Sequence, residues 1–244
     1  MADEEDRAAR FLVAFQRIEA HLRRATSAPD EEGFSAVLHR AVEQRSSARH
    51  FQYELLQLAA LRNAIVHRPP RDGRPVADPR PDVVKRIEEI AAALLTVPAL
   101  LAVLAHGVTV THSSEPARDA AARMFAGDYS QLPVLSHGLV ADILTSDALS
   151  RWMTGQLLET GSVPFDTPVS EVLPFDADRT FEVVGPKTDV LQALDLFSDR
   201  EARGQMLHAI IVAKRPPAGS LVAIATISDL PSLLSAAQPY RSVG

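Results

Sequence analysis

Cysteine is absent from this 244-residue chain, lysine is confined to Lys85, Lys187 and Lys214, and aromatic residues make up only 5%. Without cysteine there is no disulfide scaffold, no thiolate metal site and no cysteine nucleophile. The other 22 cations are arginine. Together with abundant alanine, that bias fits a GC-rich bacterial genome rather than any function. A convincing membrane span is also missing. Residues 90–105 carry no charge, but Thr96 and Pro98 interrupt them, and their first part continues the amphipathic series Val83, Val84, Ile87, Ile90, Leu94. Two short buried segments are expected there, not one span. The beginning, Met1-Ala2-Asp3-Glu4-Glu5-Asp6, is acidic and lacks the apolar core of a signal peptide. A soluble cytoplasmic protein with no membrane partner is the expectation. No phosphate-cradling glycine loop and no Ser/His/Asp arrangement stands out. His21, His39, His50, His106, His112, His137 and His208 show no metal spacing, so no metal site is expected.

What is present is a 46% apolar chain, long enough for one large domain or two ordinary ones. Its net charge of −6 is unevenly placed. Residues 1–97 hold 15 Lys/Arg and 15 Asp/Glu, whereas residues 98–244 hold 10 and 16. The acidic excess therefore belongs to the second half. Around residues 60–86 the first half carries seven cations (Arg62, Arg68, Arg71, Arg74, Arg80, Lys85, Arg86) against Asp72, Asp78 and Asp82.

The first half reads as helices. Phe11, Leu12, Phe15, Ile18 and Leu22 recur at helical spacing within residues 6–24. After the break at Ser27-Ala28-Pro29-Asp30, Asp30 is expected to cap a helix over 31–44. A third helix is expected over 48–67, with Leu55, Leu58, Leu61 and Ile65 inward, and it must stop before Pro69-Pro70. After an irregular loop over 68–80, a fourth helix is expected over 81–97 with Pro81 in its first turn.

Beyond Pro98, short β-branched strands alternate with helices, and the pattern repeats. Leu139-Val140-Ala141-Asp142-Ile143-Leu144-Thr145-Ser146-Asp147 matches Leu221-Val222-Ala223-Ile224-Ala225-Thr226-Ile227-Ser228-Asp229 with five identities at an offset of 82. Pro133-Val134-Leu135 then corresponds to Ile210-Ile211-Val212, His208 to Gln131, and Ala120-x-x-x-Met124 to Ala193-x-x-x-Phe197. Two copies of one β-α-β-β-α unit are implied. Trp152 and Met153, after the first motif, read as core.

The run from Asp119 to Phe125, then Tyr129 to Leu135, then Leu139-Val140, resembles a CBS domain, and the repeat resembles its partner. The resemblance covers about residues 99–236. It implies one paired module with clefts for an adenine nucleotide (AMP, ADP, ATP or a related adenosyl compound) as a regulatory ligand, with no cofactor required. In that family a strand ends in Thr or Ser, followed two residues later by an Asp that accepts hydrogen bonds from ribose hydroxyls. Thr226, Ser228 and Asp229 match in the second copy. In the first, Asp147 remains but Leu144 stands in the hydroxyl position, so that site is either degenerate or uses Thr145 or Ser146. Ser146-Asp147 and Ser228-Asp229 are also expected to cap helices. Ala141 and Ala223 replace the glycine usual before the motif, which would crowd a ligand. Lys187, Lys214 and Arg215 are the candidate counter-cations, and His208 is expected to line the cleft.

The third helix ends Leu61-Arg62-Asn63-Ala64-Ile65-Val66-His67. This Arg-polar-x-x-x-His pattern resembles HEPN domains, helical bundles that dimerise and that in many members cleave RNA without metal. The resemblance covers about residues 6–97. It implies that His67 serves as general base or acid, Arg62 stabilises the charge on the phosphoryl oxygens, and Asn63 positions the phosphate. Asn63 and His67 share a helical face, whereas Arg62 and His67 diverge by about 140° on an ideal helix, so one chain converges them poorly unless the helix end loosens at Pro69-Pro70; the resemblance implies a composite site across a homodimer. The expected architecture is therefore α+β and multidomain: an all-α HEPN-like bundle over 1–97, then CBS domains over 98–160 and 161–244. An adenine nucleotide, and RNA if the bundle is catalytic, are the expected partners. The other reading is a non-catalytic nucleotide-binding regulatory protein whose helical half dimerises or docks a partner.

Overall fold

The computed structural model describes residues 2–44, 46–66, 77–104, 107–217 and 219–241. The chain divides into two compact units, Met1–Pro98 with Ala236–Gly244, and Ala99–Ser235.

The first unit is helical. Helix α1 (Ala2–Thr26) buries Phe11, Phe15, Ile18 and Leu22 completely or nearly so. Helix α2 (Phe34–Glu43) starts later than Asp30 would place it, and Gly33, in extended backbone, is its N-cap residue. The reason is Arg23, whose guanidinium donates to the carbonyls of Pro29 (2.7 Å) and Glu32 (2.6 Å). Those carbonyls are thereby held in a loop rather than a helical ladder. A 3₁₀ turn, Ser47–Phe51, is capped by the Ser46 hydroxyl and leads into α3 (Gln52–Val66). Helix α4 (Pro81–Thr96) follows, with Pro81 in its first turn, where a missing N–H costs nothing. Its Val84, Ile87, Ile90 and Leu94 join the α1–α3 side chains in one core. Each such buried side chain contributes about 1.5–3 kcal/mol of transfer free energy. Two bidentate pairs bind the helices at the rim of that core: Arg10 of α1 to Glu88 of α4 (3.0 and 2.8 Å), and Arg86 of α4 to Glu54 of α3 (both 2.6 Å). The helical pattern breaks after Thr96, as Pro98 requires. No described helix is long and apolar enough to cross a membrane.

The second unit opens with the single turn α5 (Leu100–Val103) and contains the repeat. The first copy comprises β1 (Thr111–His112), α6 (Ala117–Gly127), β2 (Gln131–Ser136), β3 (Leu139–Thr145) and α7 (Ser146–Thr160). The short helix α8 (Val169–Val172) intervenes. The second copy comprises β4 (Phe181–Val184), α9 (Val190–Glu201), β5 (Ala209–Ala213), β6 (Leu221–Thr226) and, after a 3₁₀ turn at Ile227–Asp229, the start of α10 (Leu230–Arg241), whose residues from Ala236 on belong to the first unit. Each copy builds a three-stranded sheet with the same topology: a parallel outer strand, a central strand, then an antiparallel hairpin partner. In the first copy one face carries Leu132, Val134 and Leu144 against α6 and α7, with Trp152 buried and edge-on to Phe165. The opposite face packs sheet on sheet, where Val140 and Ile143 meet Ala209 and Ile211. Strand β5 is buried at every position, which explains its unbroken apolar run.

The hydrogen-bonded register corrects the expected repeat by one residue. Thr145 pairs with Gln131 and Thr226 with Ala209, while the bulges fall at Ala141 and Val222. Both sheets superpose on an offset of 81 for the last strand, so Thr145 rather than Leu144 is the counterpart of Thr226. Likewise Ala209, not His208, is the counterpart of Gln131, and His208 corresponds to Ser130.

Two ion-pair clusters brace this unit. Glu115 accepts from Arg123 (2.8 and 2.5 Å), the Thr111 hydroxyl (2.8 Å) and the His112 N–H (3.2 Å). Those donors, Arg123 foremost, hold its carboxyl at about 2, well below the usual 4.5. Arg179 lies between the copies. It forms a bidentate pair with Asp142 on β3 (2.8 and 2.7 Å) and donates to the carbonyls of Leu173 (2.8 Å) and Asp176 (2.6 Å).

Candidate ligand cleft

Strand β6 ends at Thr226, where its pairing with Ala209 stops and the chain turns into α10. Four N–H groups at a helix start need acceptors, and here Asp229 turns back to supply one. Its Oδ2 accepts from the Thr226 N–H (2.7 Å) and from the Thr226 hydroxyl (3.1 Å). The expected cap at Ser228-Asp229 is thus a Thr226–Asp229 pair, and Ser228 is exposed. Thr226, Ser228, Asp229 and Ile224 line a cleft of about 590 Å³ whose other wall is residues 127–133 of the first copy, with residues 107–109 beside them. That volume falls within the range of small-molecule sites.

Local backbone geometry sets the far wall. Helix α6 ends with Asp128 in the left-handed conformation (φ 52°), its N–H returned to the carbonyls of Met124 and Phe125. The turn brings the Tyr129 ring over Gly127, where a Cβ would stand 2.1 Å from Cε2. The Tyr129 hydroxyl accepts from Thr109 at 3.4 Å. Only a glycine at 127 lets the ring lie there. Sequence reasoning passed over Tyr129 and Asp128 as site residues, although a Gly-Asp-Tyr turn at a helix end was the available signal.

A second, smaller cleft of about 200 Å³ is lined by Thr145, Ser146, Asp147, Gln131, Met206 and His208, among others. It is built differently. The buried Thr145 hydroxyl donates to Asp176 (2.6 Å) and accepts from the Ala148 N–H (3.1 Å), so Thr145 caps α7, not Ser146-Asp147. Ala148 occupies the position that Asp229 holds in the second copy. Asp147 is exposed one residue away. His208 lines this cleft rather than the larger one. Its Nδ1 accepts from the Thr180 N–H (3.2 Å), which places the ring proton on Nε2, and its carbonyl accepts from Gln131 (3.1 Å).

Three expected features are displaced. Lys187 follows β4, whose end pairs with Val212, at the opposite end of the sheet from Thr226. Lys214 and Arg215 lie in the β5–β6 hairpin at that same end, about 17 Å along β6 from the motif. None of the three lines either cleft. Nor do Ala141 and Ala223, so neither alanine crowds these spaces. Among the described residues no group of acidic or histidine side chains could hold a metal.

In the helical unit, His67 lies outside the described residues, as do Arg68, Arg71 and Arg74. Arg62 is half-buried: it donates to Asn63 (3.1 Å) and sits 5.9 Å above the Phe15 ring centroid. Among the described residues, three of the seven counted cations meet carboxylates. Arg80 pairs with Asp82 (2.7 Å), Lys85 with Glu89 (3.6 Å), and Arg86 with Glu54 and Glu89. Glu54 and Glu89 fall outside the 60–86 window, so the count over that window leaves out these two carboxylates.

No protein-family model matches the chain, and no curated protein matches it. Similar solved structures are CBS-domain proteins. A protein with CBS domains from Burkholderia ambifaria is 18% identical, covering 58% of this chain and 96% of its own, with a TM-score of 0.43. A CBS-domain pair in complex with 5′-methylthioadenosine and S-adenosyl-L-methionine is 17% identical over 57% and 97%, with a TM-score of 0.41. The CBS domain of a bacterial CNNM/CorC-family Mg²⁺ transporter in complex with ATP is 14% identical over 64% and 99%, with a TM-score of 0.42.

Proposed function

We propose that the chain is a cytoplasmic, homodimeric regulatory protein in which a CBS-domain pair, 98–160 and 161–244, senses an adenine nucleotide or related adenosyl compound. The helical domain over 1–97 responds to it. The observation that carries this reading is the larger cleft. There Asp229, held by Thr226 through one carboxylate oxygen, lines one wall and residues 127–133 of the other copy line the opposite one. Asp229 suits ribose hydroxyls through its remaining acceptor sites, with Ser228 beside it. The test is a thermal-shift and calorimetric titration with AMP, ADP, ATP and S-adenosylmethionine. A ligand that binds only the folded state raises the melting temperature, and Asp229→Ala removes the rise. No response to any of the four refutes the reading.

For the helical domain, two outputs follow from the HEPN resemblance. In one, it cleaves RNA, with His67 as general base or acid, Arg62 stabilising the transition state and Asn63 positioning the phosphate. In the other, it is a dimerisation or docking scaffold. The Arg62 side chain, half-buried against Phe15 and bonded to Asn63, favours the scaffold. RNA cleavage by the wild-type protein, lost in His67→Ala, would reverse that preference.

A further inference from the structure

The cleft that takes the nucleotide in the proposed function differs from its twin in both charge and size. Its described lining contains two carboxylates, Asp128 and Asp229, and no lysine or arginine. The cations that would offset phosphates, Lys187, Lys214 and Arg215, sit at the far end of the β4-β5-β6 sheet. The field of the repeat half as a whole, with 10 Lys/Arg against 16 Asp/Glu over residues 98–244, reinforces rather than opposes the local sign. The left-handed backbone of Asp128 and its N–H bonds to Met124 and Phe125 set its Cα on the wall, and its side chain is exposed there. The twin cleft has about a third of the volume, presents Ala148 where Asp229 would be, and has its Thr145 hydroxyl committed to Asp176.

We infer that the ligand class is an adenine nucleoside with a neutral or cationic 5′ substituent, not a di- or triphosphate, and that it binds once per chain in the Thr226–Asp229 cleft. The inference rests on the nucleotide-sensing reading and narrows it. A polyphosphate brings several negative charges into a cleft walled by two more, with no cation among the described residues lining it, and like-charge juxtaposition of this kind weakens binding steeply. A thioether or sulfonium at the 5′ position carries no such penalty.

Isothermal titration of the full chain with 5′-methylthioadenosine, S-adenosylmethionine and ATP, at low and at physiological ionic strength, decides the matter. The expected result is one site per chain for the first two ligands and at least about tenfold weaker binding of ATP at low salt. That gap should shrink as salt screens the carboxylates. In Asp128→Asn, which keeps a residue tolerant of left-handed backbone, the ratio of ATP to methylthioadenosine affinity should rise several-fold. ATP binding as tightly as the nucleosides, or two sites per chain, overturns this inference while leaving the nucleotide-sensing reading intact. If none of the three ligands binds, this inference falls, and the nucleotide-sensing reading falls with it when AMP and ADP are silent as well.

Discussion

Replacing Arg179 with alanine should destabilise the tandem unit by about 2–3 kcal/mol, through loss of an ion pair between its two copies. Arg179 and Asp142 have side chains only 19% and 22% exposed, and the guanidinium also serves the carbonyls of Leu173 and Asp176. Its attachment to Asp142 raises its already high pKa further, so it stays charged at any working pH. Truncation leaves one half-buried carboxylate and two carbonyls short of a donor. Breaking a fully buried pair costs about 3–5 kcal/mol and an exposed pair at most about 1, so an intermediate value fits this intermediate burial. Over the 99–235 unit, an unfolding entropy of about 2.1 cal/mol/K per residue converts this to a melting shift of roughly 7–10 °C. Urea denaturation followed by circular dichroism, together with the Asp142→Ala and double variants, measures the coupling directly. A loss below about 0.5 kcal/mol for Arg179→Ala, or strict additivity in the double variant, would refute the assignment of this pair as the brace between copies.

Further predictions follow from the other braces. Glu115, held at about 2 in the fold against 4.5 unfolded, contributes stability that is complete above pH 4.5 and lost as pH falls through 2. Urea midpoints across pH 2–6 should show about 2 kcal/mol of acid sensitivity, absent from Glu115→Gln. Thr145→Val should cost about 2–3 kcal/mol, combining a lost helix cap with a buried Asp176 carboxylate deprived of its donor. Thr145→Ser should recover most of that in the same denaturation assay. Gly127→Ala should leave stability within about 1 kcal/mol, since alanine is the better helix former. It must nevertheless turn the Tyr129 ring away and weaken adenosyl-ligand binding about tenfold, as read by calorimetry.

The helices of the first unit were legible because 3.6-residue periodicity marks an amphipathic helix directly, as at Phe11, Phe15, Ile18 and Leu22. The start of α2 was not, because Arg23 reaches across from α1 to hold Pro29 and Glu32, a long-range bond that leaves no local signal at Asp30. The duplication was visible, but its register was not. Five identities drew the copies into an offset of 82, while ladder pairing and the bulges at Ala141 and Val222 set it at 81. A slip of one residue exchanges the two faces of a strand, and here it also exchanged Leu144 for Thr145 and hid the loss of an aspartate at Ala148. The strand-ending threonine, present in both copies immediately before a helix, was the better guide. The partner of Arg86 was hidden for a related reason: Glu54 reaches it by packing of α3 on α4, outside the counted stretch of sequence.

Thr145 and Thr226 share one ancestral position yet keep opposite company. In the first copy, hydroxyl and carboxylate meet in the interior, where Asp176 is 4% exposed. In the second they meet on the wall of an open cleft. Equivalent mutations should then separate cleanly by phenotype, damage to the first lowering the amount of folded protein and damage to the second sparing the fold but silencing the response. After duplication, one copy has become the anchor that frees the other to stay open.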